Sequence, residues 1–463
     1  MKAKLEKKSV RLYMIMAAGC LLRLFYVIFS TIYDRQYDNG MMDLDTLGKI
    51  STGHLGYIQY IYENGLPDFD PTSVYQYHHP PLHHWISAAW LKIGSMFINN
   101  TDVLEESIQV VPFVCSLLTL WMLYKIVCQF ELKEKAVLFV MGIFAFHPSL
   151  ILLSGSINND CMALLFTVLI VYWGIEWSRS CSWASIIWLA LSMGPGMLVK
   201  QNVAEMAFPV AAVFLYVLVR HWKESGLRKK IIGQLAVFGG ISVPVGMSFY
   251  VRNLIRFGTD IFWVYELPAD SWQYTGNVPV INRFLWPVPS EMVDNLLNFR
   301  IGCGYNVWMQ IIRTSVLGEW DMANVGKPVK LIAVLLMLLG AVLAFVAFCS
   351  FVKVFIVGGI RQIVRKATSG KGADVLPIDA PCYLMFAIGY VVNMFCYLVF
   401  AYNYPQQCSM HFRYIEITLL FPAVALGFVL QESKYKWFNR LGILVLVCFA
   451  VCSAIMTGVW CML

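Results

Sequence analysis

The sequence predicts an all-α polytopic membrane protein. Of its 463 residues, 59% are hydrophobic and only 14% carry a charge. The mean hydropathy is +0.64. So little polar surface cannot cover a water-soluble globule of this size. Apolar runs of about 18 residues or more recur along the chain, and each is long enough to cross a hydrocarbon core about 30 Å thick as a helix.

Eleven apolar runs define the predicted membrane spans. They lie near residues 12–33, 106–128, 136–153, 160–178, 183–199, 203–219, 231–250, 331–352, 381–401, 414–431 and 441–460. We therefore expect a single membrane domain over residues 1–463, built as a bundle of about eleven transmembrane helices. Two long polar connections, residues 34–105 and 251–330, interrupt this pattern.

Basic residues orient the predicted spans. Lys and Arg collect in alternate connections, at residues 2–11, 133–135, 179, 220–230, 353–371 and 434–440. Because basic loops are hard to translocate, these connections and the N-terminus are expected in the cytoplasm. The two long connections then face the extracytoplasmic side. The net charge of +7 is explained by this topology and requires no nucleic-acid partner.

Several classes of site are excluded or weakly supported. No GxGxxG and no GxxxxGK[ST] string occurs, so neither a dinucleotide-binding site nor an ATP-binding P-loop is indicated. Most of the 13 cysteines fall inside spans without metal-binding or redox spacing. Cys303 and Cys408 both lie in outer connections, where a disulfide between them is an open alternative.

The first long connection, residues 34–105, is called the first outer connection below, and residues 251–330 are called the second. The first outer connection contains several candidate acidic residues. Asp38 follows the first span closely, which places a carboxylate near the membrane surface. Asp43 and Asp45 have a spacing that could chelate a divalent cation, although solvation or helix capping explains them equally well. Residues 52–64 predict an amphipathic helix lying in the membrane interface, and Pro80 and Pro81 predict the start of a second one.

Five of the eight histidines lie in the same connection. They are His54, His78, His79, His83 and His84. Three interpretations are open: metal ligation, the lining of an active site, or an interfacial role. The adjacent prolines break the helical spacing, and no carboxylate or thiol has an evident place as a further ligand. We therefore predict no metal site, although a divalent cation is not excluded.

Cationic residues stand at the outer ends of several apolar runs. Lys200, Arg252 and Arg413 occupy such positions, and Arg256 is a weaker candidate. A lipid-linked phosphate is an anion held at this depth, and Arg can bind it through two parallel hydrogen bonds. Snorkelling to the interface is the alternative for Lys200. Arg23 lies inside the first span, where it either pairs with an acidic group or faces a cavity.

A family resemblance rests on short strings that follow one another along most of the chain. In order they are YDNG, GHLGYIQYI, YQYHHPPLHHW, HPSLILLSGSINND, LVKQN, YVRNLIRFG and HFRYIEITLLFPAVALGF. The order of these strings, and the side of the membrane on which each is expected, resemble those of the polyprenyl-phosphate-sugar-dependent glycosyltransferases of the GT-C fold. That group includes the lipid A aminoarabinose transferases and the dolichyl-phosphate-mannose protein mannosyltransferases.

The resemblance implies a reaction and its partners. A sugar would move from a polyprenyl-phosphate carrier, undecaprenyl phosphate in a bacterial plasma membrane, to an acceptor hydroxyl at the outer face, with inversion. No cofactor would be required. The acceptor could be a lipid, a protein or a cell-wall glycan. Two rival interpretations are a lipid or sugar transporter, or a non-catalytic subunit that kept the fold.

The resemblance also assigns site residues. Asp38 matches the family's acidic residue that acts on the acceptor. Asn39 stands where an acidic pair is common, so Asp43 or Asp45 could substitute as the base. Asp160 matches a second acidic position, or else caps the helix that follows it. Lys200, Arg252 and Arg413 would bind the donor phosphate. The remaining residues expected to line the substrate site are His54, Tyr75, His79, His84, Asn159 and Glu319.

Overall fold

The computed structural model describes residues 9–33, 38–46, 51–286, 297, 305–322, 324–361 and 378–462. Within these ranges the chain is helical. The only strand-like pairing in them is a single bridge between Tyr274 and Gln406. The predicted all-α class is confirmed. Cys303 falls outside the described residues, so its pairing with Cys408 stays a prediction.

All eleven predicted spans have a counterpart among the described residues. Nine helices are long and apolar enough to cross a membrane: Val10–Ile28, Thr101–Val127, Asp160–Ser180, Gln201–Arg220, Ser225–Phe257, Lys327–Arg361, Ala380–Asn403, Cys408–Glu432 and Lys436–Trp460. The helix Trp183–Val199 is apolar but slightly shorter. The remaining counterpart is a bent pair, Glu134–Phe146 and Pro148–Gly155, whose axes differ by 53°.

The bend has a covalent cause. Pro148 has no backbone N–H and cannot continue the hydrogen-bond ladder of the helix before it. The carbonyl groups of Phe144 and Ala145 lose their helical hydrogen-bond donors there, and Arg23 donates to both instead. Its guanidinium donates to both carbonyl oxygens, at 3.1 and 2.9 Å, and to Ser116 Oγ at 2.9 Å. Arg23 therefore neither pairs with an acid nor lines the site described below.

The first outer connection forms a packed layer with its own core. The helices Gly53–Asn64 and Leu82–Gly94 pack together around buried side chains that include Leu55, Tyr57 and Leu91. Eight of the twelve residues of Gly53–Asn64 are buried. Protein therefore covers most of this helix, and its position in the membrane interface stays a prediction.

The second outer connection closes over the end of the bundle. The backbone N–H of Thr275 donates to Pro405 O at 2.7 Å, and that of Gln407 donates to Gln273 O at 2.8 Å. These bonds join the connection to the turn before the span Cys408–Glu432. Another helix of this connection, Val307–Leu317, packs against Phe412 and Ile415 in a third apolar cluster.

Candidate active site

Asp38 is fixed by a close approach of two backbone segments. The N–H of His54 donates to Asp38 O at 3.1 Å, and that of Leu55 donates to Asn39 O at 2.8 Å. Gly40 and Gly53 meet at this point, and both have positive φ, at +71° and +73°. A Cβ on Gly40 would lie 1.7 Å from Thr52 O, so only glycine fits there. The string DNG thus builds the turn that presents the Asp38 carboxylate.

Asn39 has a structural role at this turn. It is 3% exposed, and its side-chain amide donates to Ile32 O at 2.8 Å. The bond ties the turn back to the end of the first span. An uncharged amide at this position therefore leaves Asp38 as the carboxylate that the turn presents.

Arg413 gathers three carboxylates around one guanidinium. Its Nη2 lies 2.9 Å from Asp38 Oδ2, its Nε 3.5 Å from Asp160 Oδ2, and its Nη1 3.5 Å from Glu319 Oε1. The side chain is 4% exposed, and so it is held by these charges with little contact with water. Residues far apart in the sequence thus meet at one cation.

Lys200 and Asp160 form a second buried ion pair beside the first. Lys200 follows the last residue of the helix Trp183–Val199, and its Nζ contacts Asp160 Oδ1. The same ammonium lies 4.6 Å from the centre of the Tyr414 ring, a favourable cation–π geometry. Lys200 is 6% exposed, so snorkelling to the interface does not describe it. Asp160 is the first residue of its helix, and Asn159 occupies the cap position.

One cavity joins these groups. Its volume is about 350 Å³, and Asp38, Lys200 and Arg413 all line it. Its other walls come from both outer connections and from three spans. They include Tyr75, His78, His79, Glu205, Phe208, Phe262, Tyr265, Cys396, Phe400, Tyr404 and Tyr414. The lining of the cavity therefore combines charged and polar groups with aromatic and apolar side chains.

Glu319 reaches Arg413 from a constrained turn in the second outer connection. Gly318 has φ +58°, and Arg313 donates to the carbonyl oxygens on either side of Glu319, Gly318 O at 3.1 Å and Trp320 O at 2.8 Å. Glu319 also lies 4.0 Å from His411 Nε2. It lines a much smaller void behind Arg413, apart from the main cavity.

The histidines of the first outer connection form a stack behind Asp38. His54 Nε2 is 3.8 Å from Asp38 Oδ2, and His54 Nδ1 is 3.0 Å from His84 Nε2. The rings of His54 and His79 stack with centres 5.0 Å apart. Burial lowers the pKa of His54, His79 and His84 well below the usual value. These imidazoles are therefore neutral at pH 7.

Four of the predicted site residues lie elsewhere. Arg252 is about a quarter exposed and turns to the first outer connection, where it donates to Pro67 O and lies 3.8 Å from Asp68 Oδ1. Asp43 and Asp45 are exposed, Asp43 just before the short 3-10 turn Leu44–Thr46 and Asp45 within it. Asn159 is buried but donates to Val199 O at 2.8 Å.

Local structure accounts for the placement of Asp43, Asp45 and Arg252. Asp43 Oδ1 accepts from the backbone N–H of Asp45, and Asp45 Oδ2 accepts from Thr101 Oγ1. The structure leaves Asp43 and Asp45 exposed and does not place them in the lining of the cavity. The structure also does not bring Arg252 to the cavity, because the first outer connection engages its guanidinium.

Two further acidic side chains were not singled out from the sequence. Glu416 is 4% exposed and hydrogen-bonds to Ser149 Oγ near the charged cluster. Glu205 lines the main cavity. A carboxylate inside an apolar run is costly in a membrane, and that signal could have identified both.

In the part of the chain that the structure describes, no group of three or more His, Cys, Asp or Glu side chains is arranged to hold a metal ion.

Fold and cavity together define a polytopic membrane protein with a charged site at one end of its helix bundle. The model of the dolichyl-phosphate-mannose-protein mannosyltransferase family matches residues 78–247. This match confirms the predicted resemblance to that group of glycosyltransferases. It includes Asp160 and Lys200, and it ends before Arg413. A comparison with curated protein sequences finds no match.

Solved structures with similar chains were also found. The apo structure of ArnT from Cupriavidus metallidurans is 14% identical, with a TM-score of 0.38, over 90% of this chain and 76% of that one. The same protein bound to undecaprenyl phosphate gives a TM-score of 0.37 at 14% identity over the same shares. The archaeal oligosaccharyltransferase AglB from Archaeoglobus fulgidus, in complex with an inhibitory peptide and a dolichol-phosphate, is 12% identical with a TM-score of 0.44. The match covers 96% of this chain but only 56% of AglB.

Proposed function

We propose that the protein is an inverting glycosyltransferase that moves a sugar from a polyprenyl-phosphate carrier to an acceptor hydroxyl. The observation that carries the proposal is the cavity that Asp38, Lys200 and Arg413 line together. A carboxylate and two cations at the end of a membrane bundle are the groups that such a transfer needs: a base for the acceptor and positive charge for the leaving phosphate.

A polyprenyl-phosphate sugar matches both the charged and the apolar residues of the cavity lining. Its phosphate binds next to Lys200 and Arg413, where an anion is stabilised by buried cations. The first isoprene units lie against Phe208 and Phe400, which face the same cavity from two spans. The hydrocarbon thus stays at membrane depth while the sugar projects toward the outer connections.

The chemistry is a single displacement. The acceptor oxygen attacks the anomeric carbon from the face opposite the phosphate, and the bond from that carbon to the phosphate oxygen breaks. The acceptor proton passes to the Asp38 carboxylate. The negative charge that grows on the leaving phosphate is stabilised by Arg413 and Lys200. The attack inverts the configuration at the anomeric carbon and leaves polyprenyl phosphate.

The site lies on the extracytoplasmic side of the plasma membrane in this proposal. Basic connections alternate along the chain, and the first and second outer connections that build the cavity belong to the opposite, less basic set. The acceptor therefore arrives from outside the cell, under these two connections.

The decisive variant is Asp38→Asn. We expect it to lower transfer by about 10²- to 10⁴-fold, the usual contribution of a positioned base. The assay follows a radiolabelled hexose from a polyprenyl-phosphate carrier to a cell-envelope extract, with the protein purified in detergent. Asp45→Asn is the matched control, because it removes an exposed aspartate of the same connection and should keep the wild-type rate.

The same assay separates the rival functions. Transport needs a sealed compartment and cannot transfer label in detergent, so a covalently labelled acceptor rules out a pure transporter. A non-catalytic subunit would show no transfer in any variant, and single substitutions of Asp38, Asp160 and Lys200 would leave every cellular phenotype unchanged. Transfer by Asp38→Asn at the wild-type rate would contradict the assignment of the base.

A further inference from the structure

Arg413 has no spare positive charge. Its three nitrogens face Asp38, Asp160 and Glu319, and the neighbouring cation Lys200 is already paired with Asp160. In the ion pairs described here, Arg413 and Lys200 thus face three carboxylates. A phosphate that enters from the cavity adds another negative charge, so it competes with these carboxylates for the N–H groups of Arg413.

The geometry shows which carboxylate can be displaced. Of the three, only Asp38 lines the main cavity. Glu319 lines the small void behind Arg413, and Asp160 lies behind Lys200, outside both linings. The Asp38 contact is also the one with hydrogen-bond length, 2.9 Å against 3.5 Å for the other two. An anion arriving through the cavity therefore meets the Asp38–Arg413 pair first.

We propose that the donor phosphate displaces Asp38 from Nη2 of Arg413, and that the released carboxylate becomes the base. The inference rests on the proposed function. A carboxylate held by a guanidinium is a poor proton acceptor, and one that has lost this partner binds a proton more readily. The base is thus available only after the donor is in place.

The proton has two sources, depending on what is bound. During turnover it comes from the acceptor hydroxyl. When a polyprenyl phosphate binds without an acceptor, Asp38 takes its proton from water. Phosphate binding is then coupled to proton uptake.

The groups around Asp38 allow this exchange. It is faced by His54 from the helix Gly53–Asn64, by Tyr75 from the loop after that helix, and by Lys200, Cys408 and Tyr414 from the spans. Burial lowers the pKa of His54 and raises that of Tyr75, so both are neutral at pH 7. Lys200 is then the only cation besides Arg413 among these groups, and Asp160 holds it.

The test uses farnesyl phosphate as the probe and the full-length protein in detergent. Titration calorimetry at pH 7 in two buffers of different ionisation enthalpy gives both the affinity and the number of protons taken up. Wild-type protein should take up protons when it binds farnesyl phosphate and none with farnesol. Asp38→Asn should abolish the uptake and bind farnesyl phosphate about tenfold more tightly, because the competing hydrogen bond to a charged group is gone.

Glu319→Gln is the matched control. It removes the same charge from the same guanidinium, but on the side away from the cavity, so proton uptake should persist. If the wild-type protein binds farnesyl phosphate without proton uptake, or if Asp38→Asn binds it no more tightly, the exchange is refuted. If no form binds farnesyl phosphate, the proposed function itself fails. Proton uptake by the wild-type protein tests the exchange even if a variant does not fold.

Discussion

At the scale of single residues, Arg23 illustrates how a buried charge serves the fold alone. It is 1% exposed within the first span, and its donors satisfy carbonyl groups that the break at Pro148 leaves open. A buried acceptor without a partner costs about 1 to 3 kcal/mol. Arg23 therefore offsets the cost of the bend that shapes one side of the bundle.

Arg23→Met should lower the free energy of unfolding by about 2 kcal/mol or more, because two carbonyl groups lose their donor. An SDS titration of the purified protein measures this change. Arg11→Met, an exposed position on the same helix, is the control and should change it little. An unfolding free energy for Arg23→Met equal to that of the control would contradict this role.

Single residues also show how far the site could be predicted. Lys200 and Arg413 were expected because charged groups beside apolar runs are costly unless they have a purpose. Asp38 and Asp160 were expected from the family resemblance, and Glu319 from its place in the second outer connection. Arg252 shows the same local pattern but lies elsewhere. Nothing in its neighbouring sequence reveals that Asp68 and Pro67 O, far earlier in the chain, hold it.

At the scale of elements, the helices Gly53–Asn64 and Leu82–Gly94 and the loop between them carry a cluster of neutral imidazoles. Burial lowers the pKa of all five histidines in this layer, to about 3 for His78 and about 4 for His83. In the unfolded chain each would titrate near 6.5. Below that pH the unfolded state therefore binds more protons than the folded state, so acid favours unfolding.

The free energy of unfolding should stay level above about pH 7 and fall as the pH drops from about 6.5 toward 4. Tryptophan fluorescence during detergent unfolding at several pH values measures this dependence. His84→Gln removes one titrating group from the layer and should reduce the slope by up to one proton. A slope identical in the variant and in the wild type would show that His84 does not titrate between the two states.

Element boundaries were largely predictable, but their surroundings were not. Hydrophobic length placed every span, because the transfer of a helix into lipid depends on its own residues. The helix Gly53–Asn64 was predicted in the interface since its apolar residues share one face. The helix Leu82–Gly94, a separate segment of the chain, also packs against it, with His84 stacked on His54.

At the scale of the whole molecule, the orientation in the membrane determines which compartment the cavity faces. The positive-inside pattern puts the loop around Asp70 outside and the turn around Glu224 inside. An epitope tag inserted after Asp70 in the full-length chain should bind antibody on intact spheroplasts. The same tag inserted after Glu224 should bind only after permeabilisation. The reverse result would place the site in the cytoplasm.

The sequence by itself determined the membrane class, the approximate positions of the apolar helices and the identity of most charged candidates. These properties depend on the local hydrophobicity and charge of each segment, which add up along the chain. Only the tertiary structure decided that Asp38, Lys200 and Arg413 share one cavity, and that Asp43, Asp45 and Arg252 do not. A charge cluster depends on distances between segments far apart in sequence, and those distances exist only once the helices have packed.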